Sequence, residues 1–137
     1  MRTLGRHLIS EHFGCDAGTL DDVMRIEAMM LEAARTIGAT VMSSAFHRYA
    51  PHGVSGTLLI AESHLSIHTW PEHRYAAIDI FTCGGLDPRP GFACLAAALG
   101  AASSRMQEIV RGLPEHVAEG AALLPEDVLL LARHSPR

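Results

Sequence analysis

Four strand-like runs in close succession constrain the fold of this chain more than any other feature of its sequence. They cover residues 39–49, 53–61, 64–70 and 75–82, and short turns marked by Pro or Gly lie between them. Strands joined by such short turns are antiparallel neighbours, because a parallel pair needs a long crossover connection. The central part of the chain therefore predicts a mainly antiparallel sheet.

Helices are grouped around this sheet and do not alternate with its strands. Residues 20–37 predict a helix, because apolar residues recur at three- and four-residue spacing, with Asp21 and Asp22 in the first turn and Gly38 after the last. A turn is expected at residues 16–19. The other expected elements are strands at residues 5–15 and 103–111 and helices at residues 88–101 and 125–133. This order predicts an α+β fold, a two-layer α/β sandwich with helices on one face, and no GxGxxG motif indicates a Rossmann fold.

Length, charge and cysteine content exclude several classes of protein. The 137 residues suit a single domain over residues 1–137. The formal net charge is −4 and no block of Lys or Arg is present, so nucleic acid is not an expected partner. No signal peptide or membrane span is recognisable. Cys15, Cys83 and Cys94 show no CxxC spacing, which predicts a reduced, cytoplasmic protein in which Cys15 and Cys94 are structural.

The densest group of reactive side chains lies in the segment ESHLSIHTWPE, residues 62–72. Ser63 lies between the second and third strand-like runs, where most serines merely bond to the backbone of a turn. A hydrolase nucleophile is a second interpretation, but no GxSxG motif surrounds it. The third uses the peptide bond itself: the Ser63 hydroxyl attacks the Glu62 carbonyl, the ester eliminates, and hydrolysis leaves a pyruvoyl group and ammonia.

Self-cleavage requires a proton carrier near Ser63 and a donor to the Glu62 carbonyl. His68 is the expected carrier because imidazole titrates near neutrality, although an ordinary half-buried strand histidine is the alternative. In a regular strand His68 and Ser63 point to opposite faces, so we expect a bend or bulge after Ser63. His64 and His68 would supply half a metal site, but no third ligand stands at a matching spacing, and no metal is expected.

Four other side chains have both a structural and a functional interpretation, and spacing does not decide between them. Cys83 is either a small buried residue or a proton donor where a strand meets a loop. Trp70 and Tyr49 either close a core or flank a flat ring or a cation. Glu72 is either a solvated turn residue or an acceptor for ribose hydroxyls.

The segment AESHLSIHTWPE, with YAAIDIFTCG after it, closely resembles the bacterial and archaeal S-adenosylmethionine decarboxylases of the small, single-repeat type. The resemblance extends through FHRYAPHGVSG and GRHLISEHFGCD and covers roughly residues 4–101. It implies self-cleavage between Glu62 and Ser63 into a β chain, residues 1–62, and an α chain, residues 63–137, that begins with the pyruvoyl cofactor. It also implies decarboxylation of S-adenosylmethionine through a Schiff base, which yields the aminopropyl donor for spermidine synthesis.

Roles for individual residues follow from the same resemblance. It implies that His68 assists self-processing, that Ser55 supports it, and that Cys83 donates a proton to the α-carbon of the product. It assigns binding of the adenine and the ribose to three residues, Tyr49, Trp70 and Glu72. Members of the family form an α/β sandwich and dimerise with active sites built across the interface, so a homodimer of αβ units is expected.

Two positions depart from the family pattern. Tyr49 stands where Phe is usual, and His73-Arg74 stands where the pair is usually Tyr-Gly. The Arg74 side chain would repel a sulfonium, pair with a carboxylate or point into water. Two alternatives therefore stay open. One is the same pyruvoyl chemistry on ornithine or arginine, which would have little use for Trp70 and Glu72; the other is an unprocessed, non-enzymatic module that binds a nucleoside.

Overall fold

A six-stranded sheet organises the described part of the chain. The computed structural model describes residues 3–114 and residue 117. The strands are β1 Gly5–Phe13, β2 Val41–Arg48, β3 Val54–Ile60, β4 Ser63–Trp70, β5 Tyr75–Cys83 and β6 Ser103–Arg111. They lie in the order β2-β3-β4-β5-β1-β6, and every neighbouring pair is antiparallel. All six strands expected from the sequence are therefore present, and the α+β prediction is confirmed.

In the described residues the sheet is accompanied by α1 Ala17–Leu20, α2 Val23–Thr36 and α3 Arg89–Ala98, and a short 3₁₀ helix, Pro71–His73, follows β4. The turn predicted at residues 16–19 was wrong, because the Asp16 carboxylate caps a short helix there and accepts a hydrogen bond from the Thr19 N–H at 2.8 Å. Helix α2 begins later than predicted, so the two aspartates precede its first turn. Asp22 is its N-cap and accepts hydrogen bonds from the backbone of Met24 and Arg25. The helix predicted at residues 125–133 lies outside the described residues.

The two faces of the sheet differ in what covers them. On one face, side chains such as Leu65, Ile67 and Ile78 join those of α2 and α3 in one buried cluster that includes Ile26 and Leu95. The alternation along each strand sends the intervening residues to the opposite face, which no described helix covers. The open face carries most of the polar side chains that the sequence singled out. None of the helices in the described ranges is long and apolar enough to span a membrane.

The hairpin formed by β3 and β4 positions these side chains. Its turn contains only residues 61–62, so Ile60 pairs with Ser63 and the register continues to Ser55 opposite His68. On its other edge β4 pairs with β5, with Ser63 opposite Thr82. The hairpin therefore has a closed end at the turn and an open end near Trp70, and both ends carry candidate site residues.

Candidate active site

Ser63 has an unusual backbone conformation. Its φ angle is 144°, a region that residues other than glycine rarely adopt. A regular strand would send Ser63 and His64 to opposite faces, yet the Ser63 Oγ lies 3.4 Å from the His64 Nδ1. The pairing of Ser63 with Ile60 and Thr82 shows no inserted residue. The expected departure from regular geometry is therefore present as a backbone rotation at Ser63, and it takes the place of a bulge after that residue.

The carbonyl group of Glu62 is held from the neighbouring strand. Its oxygen accepts a hydrogen bond from the backbone N–H of Cys83 at 2.8 Å. The Glu62 carboxylate accepts a second from the N–H of Thr40 at 3.1 Å, and the Ala61 N–H donates to the Thr40 carbonyl at 2.8 Å. The peptide group before Ser63 is thus fixed in place, and a donor points at the oxygen on which charge would develop if a nucleophile attacked its carbon.

His64, the residue after Ser63, packs in a group of rings on the open face. The His64 ring packs edge-on against His7, with centroids 6.2 Å apart, and against Phe81 at 5.8 Å. Burial lowers the pKa of His7; Arg111 and His64 act in the same direction and Asp79 opposes them. The His7 Nε2 has no hydrogen-bond partner among the described residues. His7 was not among the predicted site residues; the sequence signal available for it was its place in GRHLISEHFGCD, a segment that shares the resemblance.

The three cysteines occupy different environments. Cys15 is fully buried, and burial raises the pKa of its thiol. Cys94 is partly buried beside α2, with its sulfur 3.9 Å from the Thr36 hydroxyl. Cys83, by contrast, is exposed at the end of β5. The small-buried-residue interpretation therefore does not describe Cys83, whose thiol is accessible at the same edge as the Glu62 carbonyl.

A second cluster occupies the open end of the hairpin. A pocket of about 330 Å³ lies there. Its lining includes Tyr49, His52, Ser55, His68, Trp70 and Glu72. The Ser55 hydroxyl lies 2.7 Å from the His68 Nδ1, so the two residues that the resemblance links to processing are hydrogen-bonded to each other. The two aromatic side chains assigned to the adenine and the carboxylate assigned to the ribose thus share one pocket.

His52 is a member of this pocket that the sequence analysis missed. Its Nε2 lies 3.0 Å from a carboxylate oxygen of Glu72, close enough for an ion pair when the imidazole is protonated. His52 lies in the predicted turn between the first two of the four runs, and that was the only sequence signal available. The contact places a proton-dependent partner on the carboxylate expected to bind the ribose.

The two clusters are separated by the length of a strand. Ser63 and His68 are five residues apart in β4, which corresponds to about 17 Å along the strand. Ser63, Glu62 and Cys83 therefore lie together, whereas His68 and the other pocket residues lie together elsewhere. One chain does not bring the predicted proton carrier to the predicted cleavage site. Among the described residues, no group of three or more His, Cys, Asp or Glu side chains could hold a metal ion.

Arg74 points away from the pocket. Its Nε donates a hydrogen bond to the Cys15 carbonyl at 2.8 Å, and its own carbonyl accepts one from the Cys15 N–H at 2.9 Å. Its φ angle of 51° is left-handed, a conformation that favours glycine. The Arg74 side chain therefore anchors the turn after β4 to the end of β1, and in this chain it neither faces nor lines the pocket.

Comparisons with known proteins place this architecture in a class. A crystal structure of the adenosylmethionine decarboxylase from Aquifex aeolicus VF5 superposes with a TM-score of 0.77 and 34% sequence identity, covering 82% of this chain and 94% of that one. The chain thus has the fold of that decarboxylase. The family model described as S-adenosylmethionine decarboxylase matches residues 6–112, and the chain belongs to that family.

Relatives of known identity support the same assignment over nearly the whole chain. An S-adenosylmethionine decarboxylase proenzyme from Thermotoga maritima is 48% identical over 128 residues, which are 93% of this chain and 95% of that protein. The proenzyme of the same name from Geobacillus kaustophilus is 48% identical over 124 residues, 90% of this chain and 100% of that one.

Proposed function

We propose that this chain is a self-processing, pyruvoyl-dependent decarboxylase that acts on S-adenosylmethionine and cuts itself between Glu62 and Ser63. Cleavage would give a β chain of residues 1–62 and an α chain of residues 63–137 within what we take to be a single domain. The observation that carries the proposal is the 2.8 Å hydrogen bond from the Cys83 N–H to the Glu62 carbonyl, next to a serine with a strained backbone.

The local geometry suits the formation of a pyruvoyl group at position 63. The Ser63 hydroxyl attacks the Glu62 carbonyl carbon, and the Cys83 N–H stabilises the oxygen that becomes negative. Breaking the C–N bond converts the amide to an ester and frees the Ser63 amine. Loss of the Ser63 α-proton then expels the Glu62 carboxylate and leaves dehydroalanine, which takes up water and releases ammonia. The ketone so formed supplies the electron sink that decarboxylation of an amino acid requires.

Residues of this chain would perform the remaining tasks. The Cys83 thiol, exposed beside the cleavage site, is placed to donate a proton to the α-carbon of the product. Trp70 and Tyr49 would hold the adenine, and Glu72 would accept hydrogen bonds from the ribose hydroxyls. The shared pocket supports these binding roles and argues against ornithine or arginine, which offer neither a ring nor a ribose. A cytoplasmic location stays a prediction.

A second copy of the chain would complete the active site. His68 and Ser55 lie about 17 Å along β4 from Ser63, so they serve that serine only if they come from a partner subunit. Both clusters lie on the same uncovered face of the sheet, where two copies related by a two-fold axis would bring the closed end of one hairpin to the open end of the other. We therefore propose a homodimer with two equivalent sites, each shared between subunits.

A denaturing intact-mass spectrum tests the self-cleavage. Scaling 14.7 kDa by 62/137 and 75/137 predicts chains of about 6.7 and 8.0 kDa. The mass of the larger chain should be lower than that of the same chain beginning with serine, because a ketone has replaced the amine of its first residue. Release of labelled CO₂ is then measured from carboxyl-labelled S-adenosylmethionine, ornithine and arginine. We expect release from the first substrate only. An uncut 14.7 kDa chain that binds a nucleoside without turnover would favour the binding-module alternative instead.

A further inference from the structure

His64, and not His68, is the imidazole in contact with the Ser63 hydroxyl in the part of the chain that the structure describes. The Ser63 Oγ to His64 Nδ1 distance is 3.4 Å, a long hydrogen bond of the kind that tightens when a reaction begins. His68 forms its hydrogen bond with Ser55, at the other end of the hairpin. The first proton transfer of self-cleavage therefore has a candidate base within the same chain.

We propose that His64 is the general base for the first step of self-cleavage, the conversion of the Glu62–Ser63 peptide bond to an ester. The inference rests on the proposed self-processing and adds a residue that the sequence analysis considered only as half of a metal site. It separates the two histidines by step: His64 would serve the acyl shift, and His68 of a partner subunit would remain available for the later loss of the α-proton.

The step balances with no external reagent. The Ser63 O–H proton passes to the His64 Nδ1 as the Oγ bonds to the Glu62 carbonyl carbon, and the π electron pair of the carbonyl moves to its oxygen. When that oxygen re-forms the double bond, the C–N bond breaks with its electron pair on the Ser63 nitrogen. The His64 imidazolium returns the proton to that nitrogen. The products are an ester, a free amine and a neutral imidazole.

The surroundings of His64 fit a base that is neutral before the reaction and charged during it. Its Nδ1 accepts from the hydroxyl only in the neutral tautomer that carries the proton on Nε2. His7 packs edge-on against it from β1, and because burial lowers the pKa of His7, that neighbour adds no positive charge near neutral pH. His7 itself lies between two charged groups. The Asp79 carboxylate on β5 is near its Nε2, and the Arg111 guanidinium on β6, of opposite charge, is near its Nδ1. The neighbour from β3, Leu59, is apolar.

The test follows the chain as it is synthesised, because a mature sample has already reacted. Wild-type and His64→Ala chains are made in a cell-free translation system, and cleavage is followed by gel and intact mass over time. Samples are also treated with hydroxylamine, which cleaves an ester and leaves a peptide bond intact. His73→Ala, which removes an exposed histidine after β4, is the matched control and is expected to cleave like the wild type.

We expect His64→Ala to cleave at least about 100-fold more slowly than the wild type and to accumulate as an uncut chain that hydroxylamine does not release. Added imidazole should restore part of the rate, a rescue that a purely structural defect would not show.

Two results would overturn the role of His64. The first is a wild-type cleavage rate in His64→Ala; the second is a slow variant that accumulates a hydroxylamine-sensitive ester, because His64 would then act after the acyl shift. His64→Gln keeps a polar side chain at this position and serves as a second variant in case His64→Ala does not fold. Rapid cleavage by His64→Gln would also contradict the role of His64 as a general base. A wild-type chain that never cuts itself would contradict the proposed function, whereas a wild type that cuts beside an equally fast His64→Ala contradicts this inference alone.

Discussion

The two ends of the β3–β4 hairpin differ in backbone and in completeness. At the closed end, Ser63 has a φ angle of 144°, the Glu62 carbonyl accepts a hydrogen bond from the Cys83 N–H, and the Glu62 carboxylate accepts one from the Thr40 N–H. At the open end, Ser55 and His68 face each other in regular pairing beside an accessible pocket. The closed end thus has a strained backbone and oriented backbone groups, whereas the open end has accessible side chains that line a pocket.

This difference would allow one short chain to hold both the proposed cleavage site and the proposed substrate site. A left-handed serine costs of the order of 1–3 kcal/mol, which the surrounding ladder must offset. Under the proposed self-cleavage, that cost falls at the bond that would react. Substrate recognition instead needs space, and the open end supplies it without distortion. We infer that the acyl shift is intramolecular, whereas turnover requires both ends and therefore two copies.

The largest expected effect comes from the closed end. Ser63→Ala removes the nucleophile and should leave one chain of 14.7 kDa with no decarboxylation, as intact mass and CO₂ release will show. Ser66→Ala is the matched control, because Ser66 lies on the same strand and its hydroxyl donates a hydrogen bond to the Asp79 carboxylate, at 3.4 Å. It should cleave normally. If Ser63→Ala still gave fragments of the predicted sizes, the assignment of the cleavage site to Ser63 would be wrong.

Complementation between subunits tests whether the two ends meet across an interface. Cys83→Ala should lower turnover about 100-fold, and Glu72→Gln should lower kcat/KM about tenfold or more. If each site combines the closed end of one chain with the open end of another, co-expression creates mixed dimers with one intact site. Random pairing would then restore about a quarter of the wild-type activity per dimer.

The control for this experiment pairs Cys83→Ala with the double variant Cys83→Ala/Glu72→Gln. No combination of these chains contains an intact site, so activity should stay at background. If the first co-expression also stays at background although mixed dimers form, each chain holds a complete site, and the separation of the two ends has no functional meaning.

Much of the architecture could be predicted because it depends on local pattern. Pro- and Gly-marked turns and alternating apolar residues give the six strands, and the motif around Ser63 identifies both clusters. The contact between Ser63 and His64 could not be predicted, since strand alternation places neighbours on opposite faces and only the positive φ angle overrides it. The Cys83 N–H was missed for another reason: it is a backbone group, and its partner depends on the register between β4 and β5.

A smaller effect concerns the sheet on which both ends depend. His12 is fully buried between the hydroxyls of Ser10 and Ser104, at 3.0 and 2.9 Å, and burial lowers its pKa to about 4. In the unfolded chain its pKa is about 6.5, so between these values only the unfolded state binds the proton. Stability should therefore fall as the pH drops from 6.5 towards 4, by about 3 kcal/mol in all.

Denaturant unfolding measured at several pH values checks this expectation. His12→Gln retains hydrogen-bonding groups but does not titrate. Its free energy of unfolding should therefore fall less steeply with decreasing pH, and the difference in slope should correspond to at most one bound proton. Because β1 lies beside β5 in the sheet, acid should weaken self-cleavage and substrate binding together rather than one end alone. Equal slopes for the two proteins would show that His12 is protonated in the folded state as easily as in the unfolded one.

The smallest effect should come from Arg74, which tests whether the turn beyond the open end contributes to substrate choice. Arg74→Gly relieves a left-handed conformation but removes the hydrogen bond to the Cys15 carbonyl. These terms are each about 1 kcal/mol and opposite in sign, so stability should change by less than about 1 kcal/mol. Because the Arg74 side chain points away from the pocket, kcat/KM for S-adenosylmethionine should stay within about threefold of the wild-type value, less than the 1.4 kcal/mol that a tenfold change represents. A larger gain would mean that the guanidinium repels the sulfonium, and the open end would then extend past Glu72 into the following turn.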